Sequence, residues 1–135
     1  MNLNKKIQSY ILSNIVSPSD RKIGVEEECI IYSHNNHRIP VNSGGEFSAT
    51  DLLAIMNNNI GRNGSYSLEP GGQLEWSSPP RNNLFDLASA QKEHHKLLNL
   101  ITKEKGLKII YYGVEPHYSP SDIDLINQLK YQLMD

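Results

Sequence analysis

The 135-residue chain contains one cysteine, Cys29, so no disulfide can close within it. Its place inside an apolar strand candidate marks it as a buried, inert thiol. Basic excess is missing too. Thirteen Lys and Arg against fifteen Asp and Glu leave a formal charge of −2, with the cations scattered along the chain. Such a chain carries no electrostatic footprint for DNA or RNA. No apolar run approaches the roughly 20 residues that span a bilayer. Lys5 and Lys6 precede Ile7 to Val16, but Gln8, Ser9, Ser13 and Asn14 interrupt that run, which excludes a signal-peptide core. The expectation is a cytoplasmic chain, one domain in length, with neither a membrane nor a nucleic acid as partner. Both standard phosphate cradles, Gly-x-Gly-x-x-Gly and the P-loop pattern, are absent, and Gly71-Gly72 alone is a weak signal.

What is present centres on Gly24-Val25-Glu26-Glu27-Glu28, set in a largely apolar run from Ile23 to Tyr32. Strand side chains alternate faces, so Glu26 and Glu28 point the same way, followed on that face by Ile30 and Tyr32. Ile23, Val25, Cys29 and Ile31 lie on the other face, with Glu27 as its odd polar member and Arg21 or Lys22 as its expected partner. Two like charges flanked by apolar residues repel one another and lose hydration when covered. They need a cation or a proton between them, which points to a divalent metal, with nucleotide chemistry as the reason for the metal.

Around this strand the order reads helix, strand, helix, strand, long helix, strand, helix. Ile7, Ile11 and Ile15 form one stripe of an amphipathic helix over 4–16, stopped by Ser17-Pro18-Ser19-Asp20. Ser48 with Asp51 three residues on starts a short helix bearing Leu52, Leu53, Ile55 and Met56. Tyr66 to Ser77 reads as a strand that Pro70-Gly71-Gly72 breaks and re-aims, with Gln73, Glu75 and Ser77 on one face and Leu74 and Trp76 on the other. Asn83 caps the longest helix, over 84–105, with Leu84, Leu87, Ala88, Leu98 and Ile101 at helical spacing and Gly106 beyond its end. Leu107 to Val114 is a further strand. Ser119-Pro120-Ser121-Asp122 opens a last helix through Ile123, Ile126, Leu129 and Leu133. The stop at Asp135, without cap, glycine or polar tail, reads as an interruption.

Glu69 and Glu75 flank the break, and Glu75 between Leu74 and Trp76 repeats the motif of a carboxylate within an apolar strand. Neighbouring strands that each offer carboxylates make an oxygen cluster suited to Mg²⁺ or Mn²⁺ rather than zinc. Adjacent His94 and His95 should diverge around a helix as surface residues. His34 and His37 sit in a polar turn, which accounts for them as well as ligation does, and His117 is a weaker candidate. Acid–base work on a glycosidic bond needs two carboxylates at a defined gap; the crowding here favours metal.

Two segments, Ile23-Gly24-Val25-Glu26-Glu27-Glu28 and Ser67-Leu68-Glu69-Pro70-Gly71-Gly72-Gln73-Leu74-Glu75, resemble the glutamate–cysteine ligase family in its plant and proteobacterial branch, within the carboxylate–amine ligases. Tyr112-Gly113-Val114-Glu115-Pro116 and Lys130-Tyr131-Gln132-Leu133-Met134 look like two further landmarks in the right order. The resemblance implies an α+β fold: an antiparallel sheet with flanking helices that forms part of a glutamine-synthetase-like catalytic saddle. It implies ATP- and Mg²⁺-dependent joining of the γ-carboxyl of L-glutamate to the amine of L-cysteine through an acyl phosphate, the first step of glutathione synthesis. By the same resemblance Glu26, Glu28 and Glu75 are the catalytic metal ligands, and Glu69 and Gln73 line the cofactor site.

The match covers about 20–135 and follows a leading helix and linker over 1–20. It departs from the family at Lys130, where arginine is usual, and at Leu129, where glycine is usual. Family members run to several hundred residues, so the resemblance implies the N-terminal part of one catalytic domain, inactive alone and completed by a C-terminal portion or a second polypeptide. The alternatives are a non-catalytic remnant that binds metal or nucleotide, or a related ligase using another amine.

Overall fold

The computed structural model describes residues 2–133, so the last residue of the Lys130–Met134 landmark and the chain end at Asp135 lie outside the described residues. The elements run α1 (Leu3–Ser13), a 3₁₀ turn (Pro18–Asp20), β1 (Glu26–Ser33), α2 (Ala49–Asn59), β2 (Ser65–Leu68) and β3 (Leu74–Ser77). Then follow α3 (Leu84–Glu104), β4 (Leu107–Ile110), a second 3₁₀ turn (Pro120–Asp122) and α4 (Leu129–Gln132). The four strands form one antiparallel sheet in the order β2-β3-β1-β4, which makes the fold α+β with flanking helices. Among the described residues no helix is long and apolar enough to cross a membrane.

Strand β1 is the hub. Its first half, Glu26 to Cys29, pairs with β3, and its second half, Ile30 to Ser33, pairs with β4. Alternation along it gives the sheet two different faces. Cys29 and Ile31, with Tyr66, Leu68, Leu74 and Trp76 from the hairpin, form a core with Leu52 and Met56 of α2 and Ala90, Leu98 and Ile101 of α3. Burial pushes the Cys29 thiol up to about 12, in keeping with an inert side chain. On the other face Ile30 and Tyr32 are buried, Tyr32 beneath His117 and Tyr118, whereas Glu26 and Glu28 stand in solvent. That face is covered at its β4 end and open at its β3 end.

Local chemistry sets the helix limits. Ser48 and Asp51 form a reciprocal capping box at the start of α2, and Asn83 caps α3 through the Asp86 amide. Gly106, at φ 65°, continues the chain past α3 in the left-handed region that a side chain disfavours.

Three expected elements differ. Pro70-Gly71-Gly72 does not bend one strand but reverses the chain, so 65–77 is a hairpin. Pro70 takes the second position of a turn closed by the Gly72 amide on the Glu69 carbonyl at 2.7 Å, and the Glu69 amide bonds the Gln73 carbonyl at 3.0 Å. Gly72 lies at φ 80° while Gly71 keeps an ordinary φ, the signature of a type I turn followed by a G1 bulge. The strand expected over 107–114 ends at Ile110, and Tyr112 to Pro116 runs as irregular chain. Residues 119–133 are a 3₁₀ turn and a short helix rather than one helix: the Ile126 amide bonds the Pro70 carbonyl at 3.1 Å and the Tyr131 hydroxyl bonds the Leu68 carbonyl at 2.9 Å. Those bonds fasten the segment across the hairpin at the cost of helical continuity. Helix α1 ends at Ser13 rather than Val16, and none of its residues is buried, so the Ile7 and Ile11 stripe stands largely in solvent.

Candidate functional site

Glu28 and Glu75 are directly opposed across the β1–β3 ladder, and Glu69 sits at the first position of the hairpin turn that leads into β3. The hairpin thus returns residues six apart in sequence to one place. The carboxylate oxygens of Glu28, Glu69 and Glu75 lie within 4.8 Å of one another. The Ser67 and Ser77 hydroxyls both donate to Glu75 Oε1, at 2.9 and 3.2 Å, which orients that carboxylate. Burial raises the proton affinity of Glu69, and the charges of Glu75 and Glu28 raise it further, while Lys130 opposes them. Like-charged groups this close gain from a shared proton or a cation. An all-oxygen set of carboxylates fits a hard divalent ion such as Mg²⁺ or Mn²⁺.

The remaining sequence-predicted site residues lie elsewhere. Glu26 shares the face but stands opposite Ser77, two pairs further along the ladder, and is not brought into the triad. Gln73 turns back toward Gly71, at the edge of a cavity of about 500 Å³ lined also by Arg38, Glu115 and Tyr118. Its Oε1 is buried and has no hydrogen-bond partner among the described residues. Beside it, Arg38 and Glu115 form an ion pair at 3.0 Å, with side chains 8% and 9% exposed. Arg38 also bonds the Gly71 carbonyl, and the Tyr32 hydroxyl donates to Glu115. Burial alone would raise the Glu115 carboxyl, but Tyr32, the His117 amide and Arg38 together hold it below the usual range. The Tyr112–Pro116 landmark is therefore a buttress that ties the hairpin turn to β1.

Sequence reasoning missed the residues around Glu27. His94 is only 2% exposed rather than at the surface. Its ring stacks parallel on Trp76 with centroids 4.4 Å apart, its Nδ1 meets the Tyr66 hydroxyl at 2.7 Å, and its Nε2 meets Glu27 at 3.3 Å. His95 does not diverge from it; its Nε2 reaches the same Glu27 oxygen at 2.6 Å. Gln91 donates to the other Glu27 oxygen at 2.7 Å, so Glu27 pairs with α3 and not with Arg21 or Lys22. The missing signal was available in part: Glu27 on the apolar face needs a donor, and Gln91, His94 and His95 occupy successive turns of the helix that covers it. Lys130 was likewise visible only as a landmark residue, yet its charge falls beside Glu69.

These environments make the fold acid-labile. Burial holds His94 below its ordinary 6.5, outweighing the attraction of Glu27. Burial pushes Glu27 upward, but the bonds from Gln91 and His95 and the imidazole charges leave it below its ordinary 4.5. In both cases the unfolded chain takes up the proton first on acidification. The His94 contribution is complete above pH 6.5 and is lost as pH falls through its lowered folded value; the Glu27 contribution is lost below pH 4.5. The urea midpoint should fall in these two stages. His94→Phe, which keeps a ring on Trp76, should flatten the upper stage; an unchanged upper stage would count against this account.

The family model of glutamate-cysteine ligase family 2 matches residues 22–135. Glutamate–cysteine ligase B, chloroplastic, of Oryza sativa subsp. japonica is 27% identical over 139 residues, covering 95% of this chain and 28% of that protein. Glutamate–cysteine ligase A, chloroplastic, of the same plant is 27% identical over 137 residues, covering 93% and 28%. The Medicago truncatula glutamate–cysteine ligase, chloroplastic, is 30% identical over 70 residues, covering 52% of this chain and 14% of that protein. The chain thus spans about 28% of the length of the rice relatives. With a family match running from just before β1 through the last described element, it belongs to glutamate–cysteine ligase family 2.

Proposed function

We propose that this chain supplies the metal-holding strands of an ATP-dependent glutamate–cysteine ligase. In that reaction a γ-carboxylate oxygen of L-glutamate attacks the terminal phosphorus of ATP and releases ADP. The cysteine amine then displaces phosphate from the acyl phosphate, forming γ-glutamylcysteine, the first step toward glutathione. The observation that carries the reading is the convergence of Glu28, Glu69 and Glu75 on the open face of the sheet. Those three residues would hold Mg²⁺ or Mn²⁺, which when bound supplies positive charge against the phosphate oxygens. Ser67 and Ser77 fix the Glu75 carboxylate, the raised proton affinity of Glu69 makes occupancy favour higher pH, and Glu26 stands as an outer acidic group on the same face. Gln73, in its cavity beside Arg38 and Glu115, offers a free carbonyl oxygen to a polar substrate group.

On this reading the open face is completed by the rest of a saddle-shaped sheet from residues outside this chain, and the isolated chain does not turn over. Calorimetric titration with Mn²⁺ tests the metal assignment. Glu28→Gln and Glu75→Gln should each weaken binding by at least about tenfold, the low end of what lost supporting contacts cost a metal site. Glu26→Gln should change it far less. Equal affinity in all three variants and the parent would defeat the assignment. Release of phosphate from ATP that depends on both glutamate and cysteine, catalysed by the chain alone, would refute its incompleteness.

A further inference from the structure

Successive residues of β1 face opposite ways, so the strand that carries Glu28 on its open side carries Glu27 beneath α3. There the Nε2 atoms of His94 and His95 converge on one Glu27 oxygen, and the ligand atoms of all three residues lie within 4.8 Å of one another. This donor set differs from that of the carboxylate triad: two imidazole nitrogens and one carboxylate, a combination that suits borderline ions rather than Mg²⁺. We propose that Glu27, His94 and His95 form a second metal site, of the zinc class, tying α3 to β1 on the side of the sheet away from Glu28, Glu69 and Glu75.

The geometry needs little adjustment. Bonds of about 2.0–2.1 Å in a tetrahedral arrangement place ligand atoms roughly 3.3 Å apart. The His94–Glu27 separation is already 3.3 Å, and the His95–Glu27 separation of 2.6 Å must open by several tenths of an ångström. The His95 side chain is 41% exposed and can withdraw by that much, and its exposure leaves an entry path and room for a water as fourth ligand. Partners around the ligands hold them in place, as metal sites require. Gln91 donates to the Glu27 oxygen that the imidazoles leave free, and Trp76 stacks on the His94 ring. When Nε2 takes the metal, the His94 proton moves to Nδ1, which lies 2.7 Å from the Tyr66 hydroxyl and donates to it. No proton need leave a neutral imidazole; it changes nitrogen.

Titration of the full chain with Zn²⁺ in excess Mg²⁺ tests this, with Co²⁺ absorption as a readout of a four-coordinate site. One Zn²⁺ should bind per chain. His95→Gln keeps a donor for Glu27 but no imidazole, and should cost more than the 10–100-fold that losing an outer partner costs. Tyr66→Phe should cost within that range. A metal-free urea melt checks that both variants are folded, and Zn²⁺ should raise the melting temperature of the parent but not of His95→Gln. If zinc affinity is the same in His95→Gln as in the parent, or if excess Mg²⁺ abolishes it, the ion occupies the carboxylate triad and the proposal fails. That failure would leave the Mn²⁺ assignment standing.

Discussion

Trp76→Ala should cost about 3–5 kcal/mol of unfolding free energy, the range for deleting a buried large aromatic side chain. Trp76 is fully buried at the centre of β3, between Glu27 of β1 and Tyr66 of β2 in the ladder. Truncation does three things. It opens a cavity under α3, removes the parallel ring beneath His94, and strands the Asn63 carbonyl, which accepts the indole N–H at 2.9 Å. For a domain whose whole stability is typically about 5–15 kcal/mol, that is roughly a fifth of it or more. Trp76→Phe retains most of the volume and the stack but not the hydrogen bond, so its cost should be nearer 1 kcal/mol. Urea unfolding followed by far-UV circular dichroism, which does not depend on the indole, measures both. A Trp76→Ala chain within 1 kcal/mol of the parent would show that the core is not organised around this ring.

Saturating Mn²⁺ should stabilise the parent chain by about 2.7 kcal/mol at a hundred times its Kd, and Glu75→Gln should remove about half of that gain or more. Without metal the same substitution should act in the opposite direction. Glu75 faces Glu28 directly across the ladder, and like charges so placed destabilise a sheet by a few tenths to about 1 kcal/mol. Glutamine keeps an oxygen for the Ser67 and Ser77 hydroxyls while removing the repulsion. The variant should therefore melt above the parent in a chelator and below it in Mn²⁺. A crossing of the two curves is hard to obtain from a merely structural glutamate. Parallel curves would remove the triad from consideration as a metal site.

Much of this is legible in the sequence, for identifiable reasons. The two faces of β1 follow from period-two alternation, and the ends of α2 and α3 follow from Ser48, Asp51, Asn83 and Gly106, whose preferences are local. Pro70-Gly71-Gly72 was visible as a break, but a bulge and a hairpin use the same residues. What decides between them is whether 65–68 finds 74–77, a non-local pairing. All three triad carboxylates are visible in the sequence, but only the hairpin pairing brings Glu69 in beside Glu28 and Glu75 and leaves Glu26 out. His94 was misjudged because a polar residue beside another reads as solvated; only the placement of α3 over Glu27 and Trp76 gives it partners. The failure of 119–133 to form one helix has the same origin: Ile126 and Tyr131 are recruited by the hairpin carbonyls.

Three glutamates in succession, followed by Cys29, Ile30, Ile31 and Tyr32, all buried, also bear on how β1 finds its register. Apolar pattern usually sets register, because a one-residue slip turns the core side outward. Here such a slip would set Glu28 where Glu27 belongs, Ile30 for Cys29 and Tyr32 for Ile31, so α3 still meets a carboxylate and the core is opposed by overpacking and by Glu26 at the place of Val25. Cys29 would then stand where Glu28 should, and the carboxylates would never assemble. Further fidelity comes from outside the repetitive stretch: the Val25 amide on Ser78 Oγ at 2.9 Å, the Ile23–Arg81 bridge, and the Tyr32 hydroxyl on Glu115. A misthreaded chain would thus keep the far-ultraviolet signal of a strand while having no acidic triad at all.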